Sequence, residues 1–149
     1  MHPTERVELT NLCMIVDGKR VLVEERKNKS WPGVTFPGGH VEYREPFTDA
    51  VIREVREETG LTISSPRLCG IKDWDNGETR YMVLLYRADR FSGEIRDSEE
   101  GRVFWTELDT LTELPLAEGM RELLRVFLEE DLSDFFYDRT GGGWEIVLK

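Results

Sequence analysis

The sequence predicts an α/β fold. Three observations carry that reading: two alternating apolar segments joined by a tight turn near the N-terminus, a well-punctuated helix mid-chain, and a second segment of helical periodicity further on. Val7 to Val16 and Arg20 to Glu25 have strand character, and Asp17-Gly18-Lys19 between them is the strongest hairpin signal in the chain. An apolar segment then ends on Phe36-Pro37-Gly38-Gly39, whose glycines let the backbone come close to a ligand. A helix is predicted from Pro46 to Thr59. Pro46 suits its first turn, Glu45 its electropositive N-terminus and Gly60 a left-handed cap after its last turn. Leu68 to Trp74 and Arg80 to Ala88 are two further strands, separated by the polar turn Asp75-Asn76-Gly77-Glu78. Val103-Phe104-Trp105 is a short strand leading into Leu108, and Glu107 to Pro115 reads as loop and short turn. From Ala117 to Glu130, the residues Met120, Leu123, Leu124, Phe127 and Leu128 recur at helical spacing, so this helix packs over the sheet. The tail holds Phe135-Phe136-Tyr137, three glycines and the strand-like Trp144 to Leu148. It either closes the edge of the domain as a hairpin or contacts a second subunit.

The middle helix is where chemistry enters. At about 100° per residue, Phe47, Ala50 and Val51 face one side, the side expected to meet a core, and Glu54, Glu57 and Glu58 project the same way one to two turns later. Three carboxylates aimed along an apolar stripe repel one another and lose hydration unless a positive charge sits among them. Mg²⁺ or Mn²⁺ fits best: the donors are oxygens, and no Cys or His on this face suggests zinc. The plain alternative is a solvated acidic patch, which the helix macrodipole opposes at this end.

The stretch Gly39 to Leu61 runs Gly, five residues, Glu45, seven residues, Arg53-Glu54, two residues, Glu57-Glu58, one residue, Gly60-Leu61. This pattern resembles the signature of the Nudix hydrolases at every fixed position. The resemblance implies an α/β/α sandwich around a mixed sheet, spanning residues 1–149 as one domain with 131–149 as a C-terminal extension. It also implies a requirement for Mg²⁺, with Mn²⁺ as a substitute, and hydrolysis of a nucleoside diphosphate linked to another group. Carried onto this chain, it makes Glu54, Glu57 and Glu58 metal ligands, with the Gly38 carbonyl as a further one. Arg53 and Glu45 become an ion pair that fixes the loop against the helix and orients Glu54. A further carboxylate from a later loop corresponds to Glu100, with Glu99 the next choice. The general base is Glu57 or Glu100, since relatives differ in that role. Arg26 matches a phosphate-binding position, or is a solvated strand end; His40 follows the second glycine, where some relatives place a cation that meets phosphate.

A formal net charge of −10 argues against binding extended nucleic acid, and it means that bound metal and local cations must reverse the field felt by an anionic substrate. Lys27-Asn28-Lys29 alone approaches a basic patch, and it reads first as a solvated loop. The expected partner is a small nucleotide, with no nucleic-acid polymer and no membrane, and a homodimer is open. Cys13 and Cys69 need no disulfide, Met1 to Arg6 lacks a signal-peptide core, and a reduced, cytoplasmic protein is the default. Trp31, Phe36, Trp74, Tyr81 and Phe104 are available as surfaces for a base, though each also suits core packing. The layout is most similar to the MutT-type branch, which hydrolyses nucleoside triphosphates including oxidised ones such as 8-oxo-dGTP. Two other readings stay open: a pyrophosphatase of ADP-ribose or another nucleotide-sugar or dinucleotide, and a noncatalytic nucleotide-binding regulator.

Overall fold

The computed structural model describes residues 1–27 and 30–149, so of the basic triplet only Lys27 falls within the described residues. Two long strands open the chain, β1 (Arg6–Asp17) and β2 (Arg20–Arg26), joined through Gly18 in a left-handed conformation (φ 61°). After β3 (Gly33–Thr35) come helix α1 (Phe47–Thr59) and the short β4 (Thr62–Ile63). Next are β5 (Arg67–Asp75), β6 (Thr79–Ala88), the short β7 (Phe91–Ser92) and β8 (Gly101–Glu107). A 3₁₀ turn over Leu108–Glu113 leads to helix α2 (Met120–Leu128) and to the final hairpin, β9 (Asp134–Asp138) and β10 (Glu145–Leu148).

The main sheet has eight strands in the order β10-β9-β5-β6-β1-β2-β3, with β8 paired to β2. It is mixed. The β1–β6 and β5–β9 pairs are parallel and the others antiparallel. Strand β1 spans both halves of the sheet: Arg6 to Ile15 pair with Thr79 to Ala88, then Val16 and Asp17 pair with Val21 and Arg20. Its two-residue alternation sorts the core. Leu12 and Met14 face a cluster with Phe36, Leu123, Phe127 and Phe135 under α2, while Cys13 and Ile15 face Val51, Val55, Leu61 and Ile63 under α1. An α/β/α sandwich follows, because a sheet buried on both faces needs a helix on each.

Gly60 closes α1 in the left-handed conformation (φ 85°), its N–H bonded to the Arg56 carbonyl. Two details differ from the sequence reading, and the tail takes the first of its two expected forms. Phe47, predicted to face the core, opens the helix 44% exposed, and the buried stripe is instead Ala50, Val51, Val55, Glu58 and Thr59. Helix α2 starts at Met120 rather than Ala117, because Gly119 is left-handed (φ 81°) and Ala117 N–H bonds the Val34 carbonyl outside the helix. The tail is a hairpin that widens the sheet: β9 lies beside β5, with Ile71 opposite Asp134 and Asp73 opposite Phe136. Among the described residues no helix is long and apolar enough to cross a membrane.

Candidate active site

The loop from Pro37 to Val41 is strapped along β1, and that strap sets the site. Cys13 N–H donates to the Pro37 carbonyl, Asn11 N–H to the Gly39 carbonyl and Val41 N–H to the Leu9 carbonyl, at 2.8, 2.8 and 3.0 Å. Gly39 N–H returns a bond to Asn11 Oδ1 at 3.1 Å, and Gly38 N–H donates to Glu58 Oε2 at 2.9 Å. No side chain fits on Gly38, and one on Gly39 would displace the Glu54 carboxylate. A Cβ on Gly38 would lie 2.0 Å from the Asn11 carbonyl oxygen, and one on Gly39 would lie 2.4 Å from the Glu54 carboxyl carbon. The two glycines therefore bring strand β1, the loop and the carboxylates of α1 into direct contact.

Arg53 organises the acidic side. Its guanidinium grips Glu45 with two bonds of 2.8 and 2.9 Å and donates to Glu54 at 3.0 Å, to Glu57 at 3.3 Å and to the His40 carbonyl at 2.9 Å. Hydrogen bonds from Arg53 and from the Glu42 amide hold the Glu45 pKa down at about 2. The three helix carboxylates do not share one direction, contrary to the sequence reading. Glu58 follows the apolar stripe inward, Glu54 flanks it at Gly39, and Glu57 has a side chain 56% exposed. A helix turns about 100° per residue, so neighbours at 54, 57 and 58 fan out across that arc.

Burial raises the pKa of Glu54 and, with the nearby Glu24 carboxyl as second cause, pushes Glu58 up to about 9. Glu24 is the residue that the sequence reading missed here. It lies on β2, fully buried, its pKa raised by desolvation, and neither of its oxygens has a well-placed donor. Two buried carboxyls side by side retain a proton between them until a cation displaces it. The signal was present: Val21-Leu22-Val23-Glu24 is an interior strand run ending in a charge. Among the described residues no three acidic, imidazole or thiol groups already stand in a ligating arrangement, since Arg53 draws Glu54 and Glu57 to itself.

Two hollows meet at these residues. A cavity of about 810 Å³ runs from Gly38, Gly39, Glu54 and Glu58 to an aromatic end at Trp31, Trp74, Tyr81 and Tyr137. A second recess of about 380 Å³ is lined by Glu54, Glu57, Glu58, Glu99 and Glu100, with Arg96 and Ser98. Glu54, Glu58 and Glu100 line both, and so form the wall between them. Glu100 arrives on the turn ahead of β8, its carbonyl accepting from Lys27 N–H at 3.2 Å.

Of the proposed substrate contacts, Gly39, His40 and Arg26 line the cavity. The Arg26 Nε is buried without an acceptor, and its guanidinium lies 5.9 Å from the Trp31 ring. His40 Nε2 pairs with Glu8 at 2.8 Å, its side chain 64% exposed. Phe36 does not belong to the site. It is fully buried against Phe127, ring centroids 5.1 Å apart, because just past the end of β3 it packs into the cluster under α2. Asn11, Lys72, Tyr137 and Trp144 line the cavity and were not singled out for it, since only the tertiary fold gathers them.

Comparison with known proteins agrees with this geometry. The NUDIX domain family matches residues 8–127. The Nudix hydrolase YvcI of Bacillus subtilis is 35% identical over 122 residues, covering 78% of this chain and 75% of that protein. The oxidized purine nucleoside triphosphate hydrolase of Danio rerio is 36% identical over 110 residues, covering 70% and 69%. A MutT protein from Bacillus halodurans superposes with a TM-score of 0.78 at 30% identity, over 95% of this chain and 97% of its own. Nudix hydrolases generally use divalent metal ions. With signature, sheet, helices and relatives in agreement, this chain belongs to the Nudix hydrolases, enzymes that act on the pyrophosphate bonds of nucleotide substrates.

Proposed function

We propose that this enzyme hydrolyses a nucleoside triphosphate, oxidised forms such as 8-oxo-dGTP included, to the monophosphate and pyrophosphate with Mg²⁺. The observation that carries this reading is the two-ended cavity, aromatic where a base would stack and acidic where its phosphates would meet cations. The similarity to the Danio rerio hydrolase supports an oxidised purine triphosphate in particular. The donor set fits a hard divalent ion: it is oxygen throughout, and the buried Glu24 carboxyl beside Glu58 has no cationic or amide donor in hydrogen-bond range among the described residues. Glu54, Glu57, Glu58 and Glu100, with the Gly38 carbonyl, would hold Mg²⁺ or Mn²⁺. Bound there, the ion would neutralise bridging phosphate oxygens and acidify a water.

The chain's own groups do the rest. Arg53 keeps Glu54 and Glu57 turned toward each other while its grip on Glu45 anchors the loop that presents Gly38 and Gly39. Glu57 or Glu100, both on the second recess, takes the proton from the attacking water. Arg26, which lines the cavity, meets a phosphate oxygen.

A substrate panel tests this: nucleoside triphosphates, 8-oxo-dGTP, ADP-ribose, NADH and diadenosine polyphosphates, each with and without Mg²⁺ and with products identified. Monophosphate plus pyrophosphate, formed only with the metal, is the expected result. Cleavage of ADP-ribose alone would move the enzyme to the nucleotide-sugar branch, and no turnover of any compound would leave a binding protein.

A further inference from the structure

Lys72, on β5, ends inside the aromatic part of the cavity and is only 5% exposed. Its Nζ lies 4.5 Å from the Trp31 ring centroid, 5.2 Å from Phe135, 5.4 Å from Trp74 and 5.5 Å from Tyr137. Among the described residues it has neither a hydrogen-bond acceptor nor an ion-pair partner. Glu118, which lines the same cavity, is an opposing charge that acts on it. Burial brings its pKa down to about 8, so the ammonium form persists at neutral pH. Ring faces offset part of the cost of burying that charge, yet they leave its N–H groups unused.

Asn11 and Arg26 line the same cavity, and their Nδ2 and Nε atoms are buried behind its wall without an acceptor among the described residues. The surroundings are fixed. Trp74 stacks on Tyr81 at 4.4 Å, and Trp31 Nε1 donates to the Glu118 carbonyl at 2.8 Å, which ties that indole to the segment carrying the carboxylate. A planar ring entering between these aromatics meets a strong donor in Lys72 and a strong acceptor in Glu118.

We propose that Lys72 is a specificity-determining residue that donates to a carbonyl oxygen of the nucleobase while Glu118 accepts from the neighbouring ring N–H, so that the site selects bases with a lactam edge. Guanine, hypoxanthine and uracil present that edge. Adenine and cytosine present an amino group beside an unprotonated ring nitrogen, which sets donor against donor and lone pair against carboxylate. This assignment rests on the reading of the site as one for nucleoside triphosphates.

Inosine and adenosine differ only at this edge, and neither carries phosphate. Titrating both into the wild-type protein and into Lys72→Met, with tryptophan fluorescence as the readout, tests the assignment apart from hydrolysis. The wild type binds inosine at least about tenfold more tightly than adenosine, as befits a hydrogen bond to a charged donor, and Lys72→Met loses that preference. Equal binding of the two nucleosides by the wild type, binding of neither, or a preference that survives in Lys72→Met overturns the proposal; the first two need no variant. Pyrophosphate release from dITP and dATP is followed in parallel. If neither is cleaved while the Lys72-dependent preference holds, the triphosphate reading fails and the base assignment stands; equal cleavage without preference gives the reverse.

Discussion

The two ends of the cavity are built in opposite ways. Most of the acidic end comes from one short stretch, the Gly38–Glu45 loop and helix α1, in which Arg53 and its partners lie within a few turns of each other, with Glu24 of β2 and Glu100 ahead of β8 added to it. The aromatic end is gathered from remote elements: Trp31 ahead of β3, Lys72 and Trp74 on β5, Tyr81 on β6 and Tyr137 on β9. Groups that act on phosphate must keep fixed mutual spacing, and a helix provides it locally. Groups that recognise a base need only surround it, and any strand ends that converge will serve.

The sharpest way to break this contrast is to strike the acidic end without touching the fold. Glu57→Gln keeps the shape of an exposed side chain and is expected to lower kcat by about 10²–10⁴, with the circular-dichroism spectrum unchanged. Full activity in that variant would remove Glu57 from the chemistry. Arg53→Ala should cost stability as well, about 3 kcal/mol in a denaturant titration, because it leaves the largely buried Glu45 and Glu54 carboxylates without their counter-charge. At the aromatic end, Trp74→Ala is expected to raise KM with kcat nearly intact, by about 1–3 kcal/mol of lost stacking. A change confined to kcat would contradict the division between the ends.

The same stretch of chain also holds two carboxylates with opposite pH responses. Glu45 has its folded-state pKa depressed to about 2, so its contribution is fully present above its ordinary value near 4.5 and is lost as pH falls toward 2. Glu58 is raised to about 9, so without metal the fold binds the extra proton and loses stability as pH climbs from near 4.5 toward 9. With a chelator present, Tm against pH should therefore lose its acid limb in Glu45→Gln and its alkaline decline in Glu58→Gln. Unchanged profiles would mean that neither carboxyl is coupled to folding.

The same contrast explains what could be read from the sequence. Hairpins marked by Gly18 and Gly77 and the helix ending at Gly60 are local properties and reappear in the fold, whereas the common direction expected of Glu54, Glu57 and Glu58 does not. Phe36 and Phe47 were misplaced because the face that a residue shows depends on what packs above it: Phe36 meets Phe127 of α2, and Phe47 sits at the exposed start of α1. Lys72 could not have been found from its neighbours in sequence, since its cage includes Trp31 and Tyr137 from distant segments. Glu24 could have been, as a charge inside a buried strand.

The claim on which all this depends is that the acidic wall grips divalent cations. An electron paramagnetic resonance titration of Mn²⁺ at neutral pH reads it directly. The wild type should remove the free-ion signal, and Glu58→Gln should weaken that binding by about tenfold or more through the lost ligand charge. A wild-type protein that leaves the Mn²⁺ signal free, or a Glu58→Gln variant that binds as well as the wild type, would contradict it.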